Sequence, residues 1–262
     1  MEQYVRWNAL LDLLAETGKI SVELAAERLG VSQATIRRDF DQLEQQQMIT
    51  RTRGGAVMNG VSYDLPLRYK TVKYVEEKRR IGALAAALVE PGMAVGLNGG
   101  TTATEVARAL IQRPDLVGKT DDPQLTVVTN ALNIANELLV RSSMKIVVTG
   151  GVVRPQSFEL VGPLGGGALL HEVTLDIALL GANAIDVHLG AAAHHEGEAS
   201  VNSLMAARAR RVVIIADGSK LGRHAFARIC SLEQVTTLIT DTGADRAAVE
   251  GFESAGIEVM LA

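Results

Sequence analysis

The sequence predicts a small helical domain with a β-hairpin, followed by a larger α/β domain. Up to Leu43, apolar side chains recur at helical spacing, and a short run of alternating side chains follows before Gly54-Gly55. From about residue 93, β-rich apolar runs alternate with helical segments, a pattern typical of an α/β sheet. A stretch without periodicity separates the two patterns. We therefore assign residues 1–58 to the first domain, 59–74 to a linker and 75–262 to the second domain.

The composition limits the class of protein. A chain of 262 residues with 47% apolar residues can bury a proper core, and the net charge of −4 requires any nucleic-acid contact to come from a local basic patch. The lone cysteine, Cys230, cannot form an intramolecular disulfide and fits a reducing compartment. No secretory leader is recognisable, and no apolar run approaches the roughly twenty residues that span a bilayer. We expect a cytoplasmic protein with no membrane partner.

The first two helices are marked by apolar stripes and by end signals. The first helix ends near Gly18, and Ser21 caps a second helix that stops before Gly30-Val31. Their stripes consist of Val5, Leu10, Leu11, Leu13 and Leu14, and of Val22, Leu24, Ala25 and Leu29. A third helix follows the short glycine-containing turn. This order is the helix-turn-helix layout, in which the second helix of the motif enters the major groove of DNA.

The third helix has the residue types that groove readout uses. Ser32 is a good N-cap, and Ile36, Phe40 and Leu43 form the buried stripe. The opposite face carries Gln33, Thr35, Arg37 and Arg38. Arginine makes bidentate contacts to guanine edges or phosphates, glutamine to adenine, and hydroxyl groups to either. The alternative is an ordinary solvated helix face, since basic and acidic side chains nearly cancel within the first 58 residues.

A small hairpin is predicted after this helix. Residues 48–53 alternate with period two, and Gly54-Gly55 can turn the chain into residues 56–58. Arg51 and Arg53 then share one face, where a backbone or minor-groove contact is useful. The few aromatic residues do not interleave with basic ones, so duplex DNA is a better target than RNA. The predicted DNA-contacting residues are Ser32, Gln33, Thr35, Arg37, Arg38, Arg51 and Arg53.

This first domain resembles the N-terminal signature of the DeoR family of bacterial transcriptional regulators. The resemblance rests on Ser-x-x-Thr-Ile-Arg-Arg-Asp-Phe at residues 32–40, on Arg6 and Leu10 upstream, and on Arg-Gly-Gly-Ala at residues 53–56. It implies a winged helix-turn-helix that binds double-stranded operator DNA.

The second domain alternates candidate strands with helices. The strands are predicted at residues 93–97, 125–129, 145–149, 177–180, 212–216, 237–240 and 258–261, and helices at 76–89, 102–111, 131–140, 200–209 and 246–255. Buried strands alternating with helices indicate a parallel, doubly wound α/β sheet. Ligands of such sheets lie at the carboxyl ends of the strands.

A glycine-rich loop at the first strand end is a candidate anion site. Asn98, Gly99, Gly100, Thr101 and Thr102 stand between a strand and an amphipathic helix. Converging backbone amides, hydroxyl donors and a helix N-terminus suit a phosphate group. The alternative is a plain strand-to-helix turn with a threonine cap. The spacing fits neither the nucleoside triphosphate nor the dinucleotide motif, so we predict no cofactor.

Other strand ends add polar groups. Asn130 follows the next strand, and Gly150-Gly151 follows the one after it. Lys220, after a fourth strand, can supply positive charge to a phosphate, although a loop lysine is ordinarily solvated. His194 and His195 stand in a loop without a third ligand at a recognisable spacing, so we predict no metal site.

These segments also resemble the DeoR C-terminal effector domain, whose fold looks like that of ribose phosphate isomerases and glucosamine phosphate deaminases. The matched stretches are residues 98–102, 127–130, 149–151, 160–163, 180–182, 198–199 and 216–220. The resemblance implies a phosphorylated sugar effector, with phosphate contacts from Gly99, Gly100, Thr101, Thr102 and Lys220 and with Asn98, Asn130 and Glu198 nearer the sugar. Two departures affect the sugar end: Asn98 stands where aspartate is common, and residues 190–196 replace the usual Gly-Leu-Thr-Thr-like run.

Three functions compete at this point. The first is a repressor whose operator binding is controlled by a sugar phosphate. The second is a sugar phosphate isomerase or deaminase, for which Glu198 with Asn98 is a poor acid-base pair. The third is a protein-binding adaptor, which leaves the arginines unexplained. Because one winged domain makes few contacts, we expect a homodimer or homotetramer held by the second domain.

Overall fold

The computed structural model describes residues 3–45, 48–58, 74–116, 123–162 and 166–262. The chain forms two compact units, Met1–Lys73 and Tyr74–Ala262. Except for Tyr74, the predicted linker 59–74 lies outside the described residues.

The first unit is a helix-turn-helix with a small sheet. Its elements are α1 (Gln3–Thr17), β1 (Lys19–Ser21), α2 (Val22–Leu29), α3 (Gln33–Gln45), β2 (Ile49–Thr52) and β3 (Gly55–Met58). The predicted end signals hold, since the Ser21 side chain accepts a hydrogen bond from the Leu24 amide and Gly30 ends α2 in the left-handed conformation. The buried stripe of α3 packs with α1 and α2 in one core that includes Leu10, Leu14, Ile36, Phe40 and Leu43.

The wing differs from the predicted two-stranded hairpin. β1 pairs with β3, so that the described strands of this unit form an antiparallel sheet in the order β1-β3-β2. Gly54 makes the turn with a φ of +93°. Gly55 has a different role, because a Cβ there would lie 2.2 Å from the Ile20 carbonyl oxygen. One glycine therefore turns the chain and the other admits the third strand.

The second unit is built on a parallel sheet. Its strands are β4 (Ala94–Leu97), β5 (Leu125–Thr129), β6 (Met144–Val148), β7 (Val152–Arg154), β8 (Glu159–Val161), β9 (Leu175–Gly181), β10 (Ala184–Asp186), β11 (Gly190–Ala193), β12 (Ala209–Ile215), β13 (Ala227–Cys230), β14 (Thr237–Thr240) and β15 (Glu258–Leu261). Among the described residues, seven of them form one sheet in the order β15-β14-β12-β9-β4-β5-β6, with every pairing parallel. The chain reverses its direction of winding between β4 and β9, so the carboxyl ends of these two strands mark the switch point where doubly wound sheets bind ligands.

Helices cover this sheet and bury its strands. They are α4 (Val75–Ala87), α5 (Thr101–Gln112), α6 (Leu132–Leu138), α7 (Gly166–His171), α8 (Glu196–Arg208) and α9 (Arg246–Ser254). Two separate apolar clusters contain the buried strand residues, one including Val95, Val127 and Ile177 and the other Val128, Ala178 and Ile214. Alternate strand residues thus belong to different clusters, as expected for a sheet covered on both faces.

Two antiparallel pieces were not predicted. β7 and β8 form a hairpin, which is joined to the end of β5 by hydrogen bonds from the Leu160 amide to the Asn130 carbonyl and from the Leu132 amide to the Phe158 carbonyl. β10, β11 and β13 form a second small sheet. Its central strand is the Gly-Ala-Ala-Ala departure noted above, and all four of its residues are buried. In the described part of the chain, none of the helices has both the length and the apolarity to cross a bilayer.

Candidate DNA-contacting surface and effector site

Helix α3 begins at a serine cap, buries its apolar stripe and exposes polar side chains to solvent. The Ser32 hydroxyl accepts a hydrogen bond from the Thr35 amide at 3.1 Å and so starts the helix. Gln33, Arg37 and Arg38 are exposed, whereas Ile36 of the same helix is fully buried. Arg37 donates to the Gln33 side chain at 3.3 Å. The groove-reading residue types therefore lie together on a solvent-facing surface, and their contact with DNA stays a prediction.

Asp39 holds this helix to α1. Its carboxylate is almost completely buried and accepts hydrogen bonds from the Arg6 guanidinium and, at 2.8 Å, from the Trp7 indole. The ion pair with Asp39 raises the pKa of Arg6, which stays charged. Arg6 and Asp39 both belong to the signature that the sequence carries, and the structure gives them a bracing role.

The two wing arginines have different environments. Arg51 donates to the Asp41 carboxylate at 2.8 Å and to the Arg37 carbonyl at 3.1 Å, and its guanidinium lies 5.6 Å from the centre of the Phe40 ring. Arg53 is exposed in the turn of the hairpin. Arg51 therefore joins the wing to α3, and Arg53 is the better placed of the two for the predicted backbone contact.

Asn98 closes the switch point of the sheet. Its side-chain amide donates to the Gly181 carbonyl at 2.9 Å, and its side-chain oxygen accepts from the Gly181 amide at 2.8 Å. These two bonds tie the end of β4 to the end of β9. Both polar atoms of the Asn98 side chain thus have backbone partners, and an aspartate could not donate the first of these bonds.

A buried glutamate, Glu159, which was not among the predicted residues, lies at the centre of the candidate effector site. The Glu159 carboxyl accepts from the Gly99 amide and from the Asn130 side chain, each at 3.2 Å. The Glu198 carboxyl lies close enough to influence the pKa of Glu159, and it accepts a hydrogen bond from Arg154 at 3.0 Å. Burial, followed by the charge of Glu198, raises the pKa of Glu159 to about 8. Glu159 therefore gathers three predicted site residues, Gly99, Asn130 and Glu198, around one carboxyl group.

The Gly-Gly-Thr-Thr loop divides into two parts. Gly99 lies against Glu159, because a Cβ on Gly99 would come within 2.4 Å of the Glu159 Cγ. Gly100 begins α5 with a φ of +112°, and Thr101 and Thr102 form the first turn. The first amides of a helix have no intrahelical partner and attract anions. The start of α5 is thus the part of the loop suited to an anion, since the Gly99 amide already donates to a carboxyl group, and its contact with a phosphate stays a prediction.

Gly150 and Gly151 allow the hairpin to fold back. Both have positive φ angles, and a Cβ on Gly151 would lie 2.9 Å from the Val161 carbonyl oxygen. The positive φ angles and this close packing explain why glycine occupies these two positions. Their predicted contact with the effector stays a prediction.

Lys220 and the two histidines lie on other elements. Lys220 ends a short 3-10 turn, Gly218–Lys220, that follows β12. In the sheet, β12 is two strands from β4, so these two strands are about 10 Å apart. The His195 ring accepts from the Gly197 amide at 3.1 Å and caps α8, while the His194 amide donates to the Asn183 side chain. No cluster of three or more His, Cys, Asp or Glu side chains suited to a metal occurs among the residues described.

Glu159 was missed because its sequence context is uninformative. A single glutamate between Phe158 and Leu160 reads as an outward-facing strand residue, since strands alternate in and out. The available signal was its position one residue before the matched stretch 160–163. Arg154 was missed for the same reason, because a lone arginine after two valines predicts no partner.

One unit exposes a helix with the residue types used in groove readout, and the other has a helix start suited to an anion beside a buried carboxyl group. These features fit a DNA-binding regulator with a sensor domain. Comparison with known proteins agrees: residues 6–61 match the DeoR-like helix-turn-helix domain and residues 73–242 match the DeoR C terminal sensor domain. The chain belongs to the DeoR family of transcriptional regulators.

Individual relatives cover nearly the whole chain. The HTH-type transcriptional regulator GlpR of Haloferax volcanii is 35% identical over 97% of this chain and 96% of its own length. The glycerol-3-phosphate regulon repressor of Escherichia coli K12 is 30% identical over 92% of each chain. Among solved structures, ribose 5-phosphate isomerase A of Methanocaldococcus jannaschii aligns with 56% of this chain and 55% of its own at 19% identity, with a TM-score of 0.41.

Proposed function

We propose that this regulator is a repressor of carbohydrate catabolism genes, whose operator affinity changes when a phosphorylated sugar binds the second unit. The observation that carries the proposal is the start of α5, with Gly100 at a φ of +112°, next to the switch point and the Glu159 carboxyl. Backbone amides at a helix start suit a phosphate, and the polar groups beside them suit a sugar. The Escherichia coli relative is named a glycerol-3-phosphate regulon repressor, which supports a phosphorylated effector.

The proposed contacts follow from the two units. Operator DNA is contacted by the exposed face of α3, through Gln33, Thr35, Arg37 and Arg38, and by Arg53 of the wing. The effector phosphate is contacted by Gly100, Thr101 and Thr102, with Lys220 reaching from the end of β12. The chain acts in the cytoplasm as a homodimer or homotetramer, since two half-sites one DNA turn apart require two copies of α3.

Operator affinity with and without effector tests this function. The effector is first found by a thermal-shift screen of phosphorylated sugars against their unphosphorylated parents. Fluorescence anisotropy on native promoter DNA should then show that Gly100→Val and Lys220→Ala bind operator like the unmodified protein but no longer respond to the effector. Gly92→Val and Lys145→Ala are the matched controls, because Gly92 has a φ of +87° at the amino end of β4 and Lys145 is exposed on β6. A full response by the Gly100 and Lys220 variants would place the phosphate elsewhere.

A sugar phosphate isomerase or deaminase is the second candidate function. It is favoured by one observation, the proximity of the Glu159 and Glu198 carboxyls, because a carboxyl group with a raised pKa beside a second carboxyl group can serve in acid-base chemistry. The sequence offered Glu198 and Asn98 as a poor acid-base pair for an enzyme. Glu159 adds a second carboxyl group to this site. Product formation from the same sugar phosphates, lost in Glu198→Gln, would establish this activity. Its absence at effector concentrations that change operator affinity would exclude it.

A further inference from the structure

The cluster around Glu159 is rich in hydrogen-bond acceptors, one of which has no partner among the described residues. The acceptors are the Glu159 and Glu198 carboxyl oxygens and the Asn130 side-chain oxygen. The donors that face them are the Gly99 amide, the Asn130 side-chain nitrogen and Arg154. Arg154 brings a positive charge to the pair through its contact with Glu198 at 3.0 Å. An acceptor-rich, buried site of this kind is completed by a ligand that donates hydrogen bonds.

The side-chain oxygen of Asn130 is a second, independent sign that the site accepts a hydrogen-bond donor. Its side chain is fully buried, and its oxygen has no hydrogen-bond partner among the described residues. Its nitrogen donates to Glu159 and, at 3.4 Å, to the Leu160 carbonyl. Because a carbonyl only accepts, the Leu160 contact fixes which end of the amide is nitrogen. The unpartnered oxygen therefore lies on the same amide group that contacts the carboxyl pair. One turn along α8 from Glu198, the buried Asn202 side-chain oxygen also has no partner in the described structure.

We propose that the effector is an amino sugar phosphate, and that Glu159 and Glu198 bind its protonated amino group. This inference rests on the proposed function, because it assigns the chemistry of the sugar end at the same site. The phosphate lies at the start of α5, and the ammonium group lies over the carboxyl pair, with Asn130 as a further acceptor.

The charge of the cluster favours an ammonium over a hydroxyl group. Burial, followed by the charge of Glu198, raises the pKa of Glu159, so Glu159 keeps a proton in the unliganded protein. A hydroxyl group leaves this arrangement unchanged. An ammonium supplies the second positive charge, both carboxylates ionise, and the bound proton of Glu159 leaves to solvent. The charged groups involved are Glu159 on β8, Glu198 on α8 and Arg154 on β7, while Gly99 and Asn130 contribute neutral donors.

Matched ligands that differ by one group test the inference. Isothermal titration calorimetry on the full chain would compare glucosamine 6-phosphate with glucose 6-phosphate, and galactosamine 6-phosphate with galactose 6-phosphate. Because a charge-assisted hydrogen bond is worth about 1 to 1.5 kcal/mol more than a neutral one, the amino member of a pair should bind about tenfold more tightly. Repeating the titration at pH 7 in buffers of different ionisation enthalpy should show proton release for the amino ligand alone.

Variants assign the preference to the pair. Glu159→Gln keeps an acceptor for the Gly99 amide but cannot ionise, so the amino preference and the proton release should both disappear. Glu196→Gln removes an exposed carboxylate from the same helix as Glu198 and should retain both. The proton-release measurement on the unmodified protein needs no variant, so a poorly folded Glu159→Gln leaves the test intact.

The possible outcomes separate this inference from the proposed function. Equal binding of amino and hydroxyl members overturns the inference and leaves the phosphate-controlled repressor standing. An amino preference that persists in Glu159→Gln also overturns it. Binding of the unphosphorylated amino sugars as tightly as their phosphates overturns the proposed function instead, and so does failure of every sugar phosphate to bind.

Discussion

Replacing Asp39 with alanine should unfold the first unit while leaving the second intact. Asp39 is buried and accepts hydrogen bonds from both Arg6 and Trp7, so the substitution removes these polar links between α1 and α3 and leaves the partly buried Arg6 guanidinium without this carboxylate. Breaking a buried ion pair by removing one partner costs about 3–5 kcal/mol. A domain of about 60 residues is marginally stable, near the lower limit of about 5 kcal/mol. The loss is thus comparable to the whole stability of this unit.

Trp7 makes the measurement specific. It is the single tryptophan of the sequence and is almost fully buried, so its fluorescence in a urea titration reports the first unit alone. Asp39→Ala should shift the emission to that of exposed tryptophan at low urea, while the far-ultraviolet circular dichroism of the second unit persists. Asp39→Asn keeps an acceptor for the indole and should lose less. Glu27→Ala, which removes an exposed carboxylate from α2, is the control. Coincident urea curves for Asp39→Ala and the unmodified protein would refute the bracing role.

The remaining predictions concern the wing, the recognition helix and pH. Arg38→Ala should weaken operator binding, by about 1–3 kcal/mol of discrimination if it contacts a base, with an unchanged urea midpoint; unchanged anisotropy and salt slope would contradict the recognition-helix assignment. Arg51→Ala should lower both operator affinity and the Trp7 urea midpoint, because Arg51 joins the wing to α3. Gly55→Ala should lower that midpoint more than Gly54→Ala, because only at Gly55 does a Cβ meet backbone, and a reversed order would argue against the third strand. The second unit should lose stability as pH rises from 4.5 to about 8, because folded Glu159 keeps a proton that the unfolded chain releases. The free energy of unfolding should fall by at most about 1.4 kcal/mol per pH unit, and this dependence should disappear in Glu159→Gln.

The sequence predicted the elements whose signals are local. The strands Leu125–Thr129, Thr237–Thr240 and Glu258–Leu261 have the predicted bounds, because each is an isolated apolar run between turn residues. The caps at Ser21 and Ser32 were equally local, since each hydroxyl bonds an amide three residues on. Sheet class followed from the alternation of strands with helices.

Elements that depend on distant partners could not be predicted in this way. β1 spans three residues, too few for a period, and exists because Lys19–Ser21 pairs with residues 55–57. The β7–β8 hairpin is similarly short and is placed by hydrogen bonds to the end of β5. The candidate site shows the same division. Strand-end loops were found from glycines and threonines in the sequence, whereas the Glu159 contact with Glu198 joins residues on a hairpin and a helix that no local pattern relates.

The missing side chain at Gly99 has a consequence for how this site changes among related chains. Glu159 occupies the volume that a Cβ at residue 99 would need, so the two positions behave as one steric unit. Alanine or a larger residue at 99 should be found together with a side chain shorter than glutamate at 159, and glutamate at 159 should require glycine at 99. Covariation of these two positions would therefore sort family members into those that keep the buried carboxyl pair and those that read the sugar end by other means.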